Sequence, residues 1–233
     1  MRVCSISVQQ FRMTMRMTLS AARINSEESF SIVFSLSEVA ETEHFVAREQ
    51  ELAAMHKALG EGTGRRAVTL YGLGGIGKTQ LAIAYSKAHR AKYSAIFWVN
   101  IRDEDSVKQS YARIARRILR EHPSASRLVT ITDDSQPYEI VAAVKGWLEH
   151  RKNTQWLMVF DNYDNPKVPG NADPGAVDIR GFLPEVYHGS VIVTTRSSKV
   201  KVGCQIRVGK LEDVRDSLRI LSDASRRDGV MDG

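Results

Sequence analysis

The sequence has few cysteines and no long apolar run, and each lack excludes a class of protein. Its 233 residues include only Cys4 and Cys204, at opposite ends of the chain. Two cysteines so placed do not form a disulfide framework or a cysteine-rich metal site, so a reducing, cytoplasmic compartment is the default expectation. No stretch approaches the roughly 18 apolar residues that a membrane span requires, so we expect no membrane partner.

The sequence also has no long run of residues with the same charge. The formal net charge is +6, from 33 Lys and Arg against 27 Asp and Glu, but basic residues are scattered among acids. This pattern does not favour nucleic acid as a partner. It fits a solvated surface together with a pocket that accepts polyphosphate.

The first 43 residues differ in composition from the rest. Residues 1–24 contain four arginines, four methionines and no acid. That composition weakly resembles a mitochondrial transit peptide, but it lacks a convincing amphipathic helix. We therefore predict a flexible extension over residues 1–43, a nucleotide-binding domain over 44–222 and a tail over 223–233.

A glycine-rich loop follows the first strand pattern and decides most of what the sequence implies. The loop reads Gly72-x-x-x-x-Gly77-Lys78-Thr79, and a helical pattern begins at once. Strand, glycine loop and helix in this order are typical of a phosphate-binding P-loop, and the alternative is a plain glycine turn. Lys78 would reach the β- and γ-phosphates, and the Thr79 hydroxyl would bind Mg²⁺. The predicted nucleotide-binding residues here are Gly72, Gly74, Gly75, Ile76, Gly77, Lys78, Thr79 and Gln80.

Strand and helix patterns alternate along the remainder of the domain. Strands separated by helices of ordinary length predict a parallel sheet covered by helices on both faces. Asp103 or Asp105 is expected to cap the third helix. The predicted strands are 67–71, 95–101, 155–160, 191–195 and 205–208, and the predicted helices are 50–59, 78–89, 103–121, 137–151 and 213–222.

Polar residues stand at the ends of two strands, where ligands of parallel sheets bind. Asp161 follows an apolar strand and fits a Walker B carboxylate, so we expect it to hold Mg²⁺ together with Thr79. Arg196 follows another strand and could contact the γ-phosphate as a sensor. With Lys78, these two residues form the predicted catalytic set.

The residue after Asp161 is Asn162, and an amide cannot act as a general base. This favours slow hydrolysis over fast turnover, unless a base comes from elsewhere in the chain. Asp164 is close in sequence, but the sequence does not give its reach. Near the start of the domain, Phe45, Val46 and Arg48 are expected to fold over the adenine, with apolar side chains against the base.

Together these motifs resemble one family. The segments 45–52, 72–79, 95–100, 156–162 and 189–196 occur in the order found in the NB-ARC domain of STAND ATPases, the group of NOD-like receptors and plant resistance proteins. Residues 161–166 resemble its fungal branch. The resemblance implies a P-loop NTPase fold of the α/β/α type, with a five-stranded parallel sheet in the order 5-1-4-3-2.

The function that the resemblance implies is a signalling switch of innate immunity. ADP is held in the closed state, and exchange for ATP triggers oligomerisation with other chains or domains. Lys78 and Thr79 would bind phosphate and Mg²⁺, Asp161 would be the Walker B acid and Arg196 the sensor. Activity would be at most that of a slow ATPase.

The sequence departs from the family pattern in two respects. Ala47 stands where the family usually has glycine, and the family's helical and winged-helix motifs do not follow within the 233 residues. We therefore expect a fragment, a truncated gene product or a module that acts with partners. Alternatives are a small-molecule kinase with residues 170–180 as its lid, a nucleic-acid-stimulated ATPase, and a truncated chain without function.

Overall fold

The described part of the chain contains most of the predicted domain. The structure is a computed structural model, and it describes residues 31–32, 48–60, 66–123, 125, 128, 131 and 135–210. Phe45 and Val46, the predicted helix at 213–222 and both predicted domain boundaries lie outside these residues.

Five strands form one parallel sheet, as predicted. They are β1 (Arg66–Tyr71), β2 (Ala95–Asn100), β3 (Trp156–Asp161), β4 (Ser190–Thr195) and β5 (Cys204–Arg207). Neighbouring strands are parallel, and their order across the sheet is β2-β3-β4-β1-β5. This order is the predicted 5-1-4-3-2 read from the other edge, so the predicted α/β fold is confirmed.

Four helices occupy the predicted positions within the described residues. They are α1 (Glu49–Gly60), α2 (Lys78–Ala88), α3 (Glu104–Glu121) and α4 (Pro137–Leu148), with short 3₁₀ turns at Arg90–Lys92 and Ile179–Gly181. Asp103, rather than Asp105, caps α3, because its carboxylate accepts a hydrogen bond from the Ser106 amide at 2.8 Å. None of these helices has the length and apolar character needed to cross a membrane.

Helix α4 ends at Leu148, three residues before the predicted end. The Asn153 side chain donates to the Trp147 carbonyl at 2.6 Å, and the Trp156 indole donates to the Leu148 carbonyl at 2.9 Å. These side chains satisfy carbonyls that another helical turn would have used. The helix therefore stops where the chain turns towards β3.

Both faces of the sheet are buried at its central strands β1, β3 and β4, whereas only Ile206 is buried in the edge strand β5. In β3, Leu157 and Val159 belong to one apolar cluster with residues of α1 and α2, such as Met55 and Leu81. Side chains alternate along a strand, so Met158 and Phe160 face the opposite side, where β2 also contributes to the core. There the Phe97 ring of β2 lies edge-on to the Trp147 ring of α4, with centroids 6.1 Å apart. Helices thus cover the sheet on two sides.

Gly189, immediately before β4, is packed closely against the Trp156 ring. Its φ is +76°, and a Cβ atom there would lie 2.2 Å from the Trp156 ring. Gly189→Ala is expected to lower the free energy of unfolding by about 2–4 kcal/mol, because left-handed strain and overpacking add. Chemical denaturation measures the change.

The matched control is Gly181→Ala, where a Cβ atom would meet nothing within 4 Å. It should leave the denaturation midpoint nearly unchanged. Equal stability of the two variants would contradict the packing described for Gly189.

Candidate functional site

The ends of three neighbouring strands lie side by side at one edge of the sheet. Strand β4 lies between β1 and β3, with Thr194 opposite Leu70 and Val193 opposite Phe160. In this register the loop after β1, the last residue of β3 and the residue after β4 reach the same edge. The structure therefore brings Lys78, Asp161 and Arg196 together although they are far apart in sequence.

The glycine loop after β1 is tightly curled. Gly75 and Gly77 have φ values of +72° and +92°, a left-handed backbone that glycine adopts without strain. Helix α2 begins immediately after Gly77, so its first unpaired N–H groups lie at the end of the loop. Gly72 is required for a different reason: a Cβ atom there would lie 2.4 Å from the Val208 carbonyl oxygen.

Lys78 points back over the loop. Its side chain is buried, and its ammonium donates to the Gly72 and Leu73 carbonyls at 3.0 and 2.8 Å. Burial lowers the pKa of Lys78, the carboxylates of Asp164 and Asp161 act in the opposite direction, and Arg196 adds to the lowering. An ammonium has three donors, so Lys78 can keep a loop contact and still reach a phosphate oxygen.

Asp161 is buried at the tip of β3, with 4% of its surface exposed. One of its oxygens, Oδ1, accepts hydrogen bonds from the Thr79 hydroxyl at 2.9 Å and the Thr194 hydroxyl at 2.5 Å. A carboxylate and a hydroxyl are hard oxygen donors of the kind that Mg²⁺ prefers. The pair Thr79 and Asp161 thus fits a magnesium ion.

A cavity of about 250 Å³ opens above the glycine loop. The cationic side chains of Lys78 and Arg196 line it, next to the loop that precedes α2. This combination suits a polyphosphate. The cavity is lined by Gly74, Gly75, Ile76, Gly77, Lys78, Thr79, Gln80, Asn162, Asp164, Thr194 and Arg196. Of the described residues that were predicted for the site, Gly72, Arg48 and Asp161 lie beside this group rather than in it.

Arg196 is held by Asp164. The Arg196 Nε atom lies 2.8 Å from Asp164 Oδ2, and its backbone N–H donates to Asp164 Oδ1 at 2.9 Å. The Arg196 side chain is 66% exposed, so solvent reaches the pair. The residue predicted as a sensor therefore faces the cavity as one member of an ion pair.

Arg48 contacts the glycine loop but does not line the cavity. Its side chain is 7% exposed, and its guanidinium donates to the Ile76 carbonyl at 2.8 Å and the Gly209 carbonyl at 3.1 Å. The same group pairs with Glu51 at 3.0 Å. The predicted contact of Arg48 with adenine stays a prediction, whereas its side chain ties the loop to the residues after β5.

Three further residues line the cavity although no binding role was predicted for them. Thr194 lies one position before the end of β4. Its hydroxyl close to the end of a strand is the sequence feature from which a binding role could have been predicted. Asp164 reaches the cavity because the chain turns sharply at Asn162, which has a φ of +67°. Asn162 itself donates from its side chain to Asn100 at 3.4 Å.

Comparisons with known proteins agree with the sequence motifs. Residues 48–223 match the model of the NB-ARC domain family. A nucleotide-binding leucine-rich repeat (NLR)-like protein of Hyaloscypha variabilis is 24% identical over 166 residues, which are 66% of this chain and 16% of that protein. The chain therefore spans less than a fifth of the length of this relative.

Two solved structures show weaker similarity. Cdc6p of Pyrobaculum aerophilum has a TM-score of 0.49 and 16% identity, covering 84% of this chain and 54% of that one. The ORC2 protein of Aeropyrum pernix, in ADPNP and ADP complexes, has a TM-score of 0.47 and 15% identity, covering 82% of this chain and 54% of that one.

The family match covers well over half of the chain and includes the glycine loop, Asp161 and Arg196. The chain therefore belongs to the NB-ARC domain family of P-loop nucleotide-binding proteins.

Proposed function

We propose that this chain binds ADP or ATP with Mg²⁺ and serves as the nucleotide-dependent switch of a STAND-type signalling protein. The observation that supports the proposal most is that Lys78, Thr79 and Arg196 line one cavity, with Asp161 hydrogen-bonded to Thr79 beside it. A P-loop supplies backbone N–H donors to the phosphates, and Lys78 supplies a positive charge. Arg196 would contact the terminal phosphate.

The metal would be held by the Thr79 hydroxyl and the Asp161 carboxylate. When bound, Mg²⁺ neutralises charge on the β- and γ-phosphates. Thr194 shares Asp161 Oδ1 and thereby fixes the orientation of that carboxylate. These residues position the phosphate chain whether or not hydrolysis follows.

We propose that hydrolysis is slow. The residue beside Asp161 is the amide Asn162, which cannot take a proton from water. Asp164 is the acid among the residues that line the cavity, and both of its oxygens are bonded to Arg196. A nucleotide that is hydrolysed slowly can act as a signal that persists.

The signalling context is proposed from the similarity to the NLR-like protein of Hyaloscypha variabilis. This chain would supply the nucleotide-binding part of such a receptor in the cytoplasm. Exchange of ADP for ATP would then favour oligomerisation with other chains. Measuring the molecular mass of the purified chain with each nucleotide tests this part of the proposal.

Lys78→Ala is expected to weaken ADP binding by about ten- to a hundredfold, the value of a hydrogen bond from a charged group. Isothermal titration with Mg²⁺ and ADP measures the loss, and nucleotide carried through purification should fall with it. The control Lys92→Ala removes an exposed lysine from the turn after α2 and should bind like the wild type. Unchanged binding by Lys78→Ala would refute the proposed phosphate site.

Thr79→Ala is expected to reduce the gain in ATP affinity that Mg²⁺ provides, by about tenfold or more, because one group around the metal is lost. Thr79→Ser keeps the hydroxyl and should retain most of that gain. Both variants are titrated with ATP in Mg²⁺ and again in EDTA. If alanine and serine behave alike, Thr79 does not hold the metal.

A further inference from the structure

The Asp164–Arg196 ion pair lies at the wall of the cavity, and both of its members line that cavity. Arg196 also lies against the glycine loop, since a Cβ atom on Gly74 would lie 3.2 Å from its Cζ atom. The guanidinium therefore bridges the loop after β1 and the loop after β3. Lys78, Gly74, Asp164 and Arg196 all line the same cavity.

Asp164 is the better-anchored member of the pair. Its backbone N–H donates to the Asn162 carbonyl at 2.8 Å, and the Tyr163 N–H donates to the Thr194 carbonyl at 2.9 Å. Tyr163 is buried, and its hydroxyl donates to the Val177 carbonyl at 2.9 Å. By contrast, the side chain of Arg196 is mostly exposed, so it can leave the pair by rotating its own bonds.

The charge of Asp164 acts on the cavity in two ways. The carboxylate pairs with the Arg196 guanidinium, which would otherwise contact a phosphate. As an anion, it also repels further negative charge in the cavity. Its effect extends to Lys78, where it opposes the lowering of the pKa by burial. A triphosphate places one more anionic group in the cavity than a diphosphate, so it meets more of this repulsion.

We propose that Asp164 is a specificity-determining residue that holds Arg196 and thereby favours nucleoside diphosphate over triphosphate. The inference deepens the proposed function and rests on the nucleotide site described there. Binding of a diphosphate leaves the ion pair intact. Binding of a triphosphate through Arg196 requires the guanidinium to exchange a carboxylate for a phosphate oxygen.

Asp164→Asn tests the inference because it removes the charge and keeps the shape. The dissociation constants of ADP and ATP are measured in Mg²⁺ for wild type and variant, and their ratio is compared. We expect the ratio to move towards ATP by about tenfold, since one unit charge is removed next to the terminal phosphate. An unchanged ratio would overturn the inference.

The matched control is Asp178→Asn. Asp178 also pairs with an arginine, Arg180, at 2.8 Å, but it does not line the cavity. This variant should keep the wild-type ratio, and an equal shift in both variants would show a general charge effect and overturn the role of Asp164. Asp164→Glu retains the charge and should stay close to the wild-type ratio.

Two further outcomes are distinguishable. If Asp164→Asn does not fold, as judged by circular dichroism, Asp164→Ser provides the neutral variant, with the same expected shift and the same unchanged ratio as refutation. If wild type binds neither nucleotide, the proposed function fails, and the inference fails with it. If wild type binds both and the neutral variants keep its ratio, only the inference is overturned.

Discussion

The hydrogen bonds to the buried carboxylate of Asp161 connect the parts on which the site depends. A charged group removed from water is costly unless it is paired or hydrogen-bonded. Here hydroxyl groups from Thr79 and Thr194 meet one carboxylate oxygen. Because these groups come from α2, β3 and β4, their contacts fix the start of the helix relative to two strands. The same contacts place oxygen ligands where the proposed metal would bind.

The glycine loop is closely packed, whereas the arginine on the outer side of the cavity is exposed to solvent. The backbone of Val208 approaches Gly72 too closely for any side chain there, and Arg48 ties the loop to Gly209. Both contacts join the glycine loop to the residues after β5. Arg196, in contrast, is largely exposed and is held by one acid. This difference suits a site that keeps its phosphate-binding loop constant while one arginine changes partners.

The sequence predicted the parts of this site that depend on local pattern. Strand, glycine loop and helix are contiguous, so residues 72–79 could be recognised directly, and the strand order followed from the family resemblance. The pairing of Asp164 with Arg196 could not be predicted in this way. It depends on the left-handed turn at Asn162 and on burial of Tyr163, which are consequences of tertiary packing. Likewise, the left-handed backbone and loop contacts of Arg48 are not visible in its motif.

The most direct measurement is an X-ray structure of this chain crystallised with Mg²⁺ and ADP. We expect density for the β-phosphate at the N-terminus of α2, within hydrogen-bonding distance of Lys78 Nζ, with the metal beside Thr79 and Asp161. Arg196 should remain bonded to Asp164 in this diphosphate complex. A nucleotide bound elsewhere, or phosphates that do not contact residues 74–79, would refute the proposed nucleotide site.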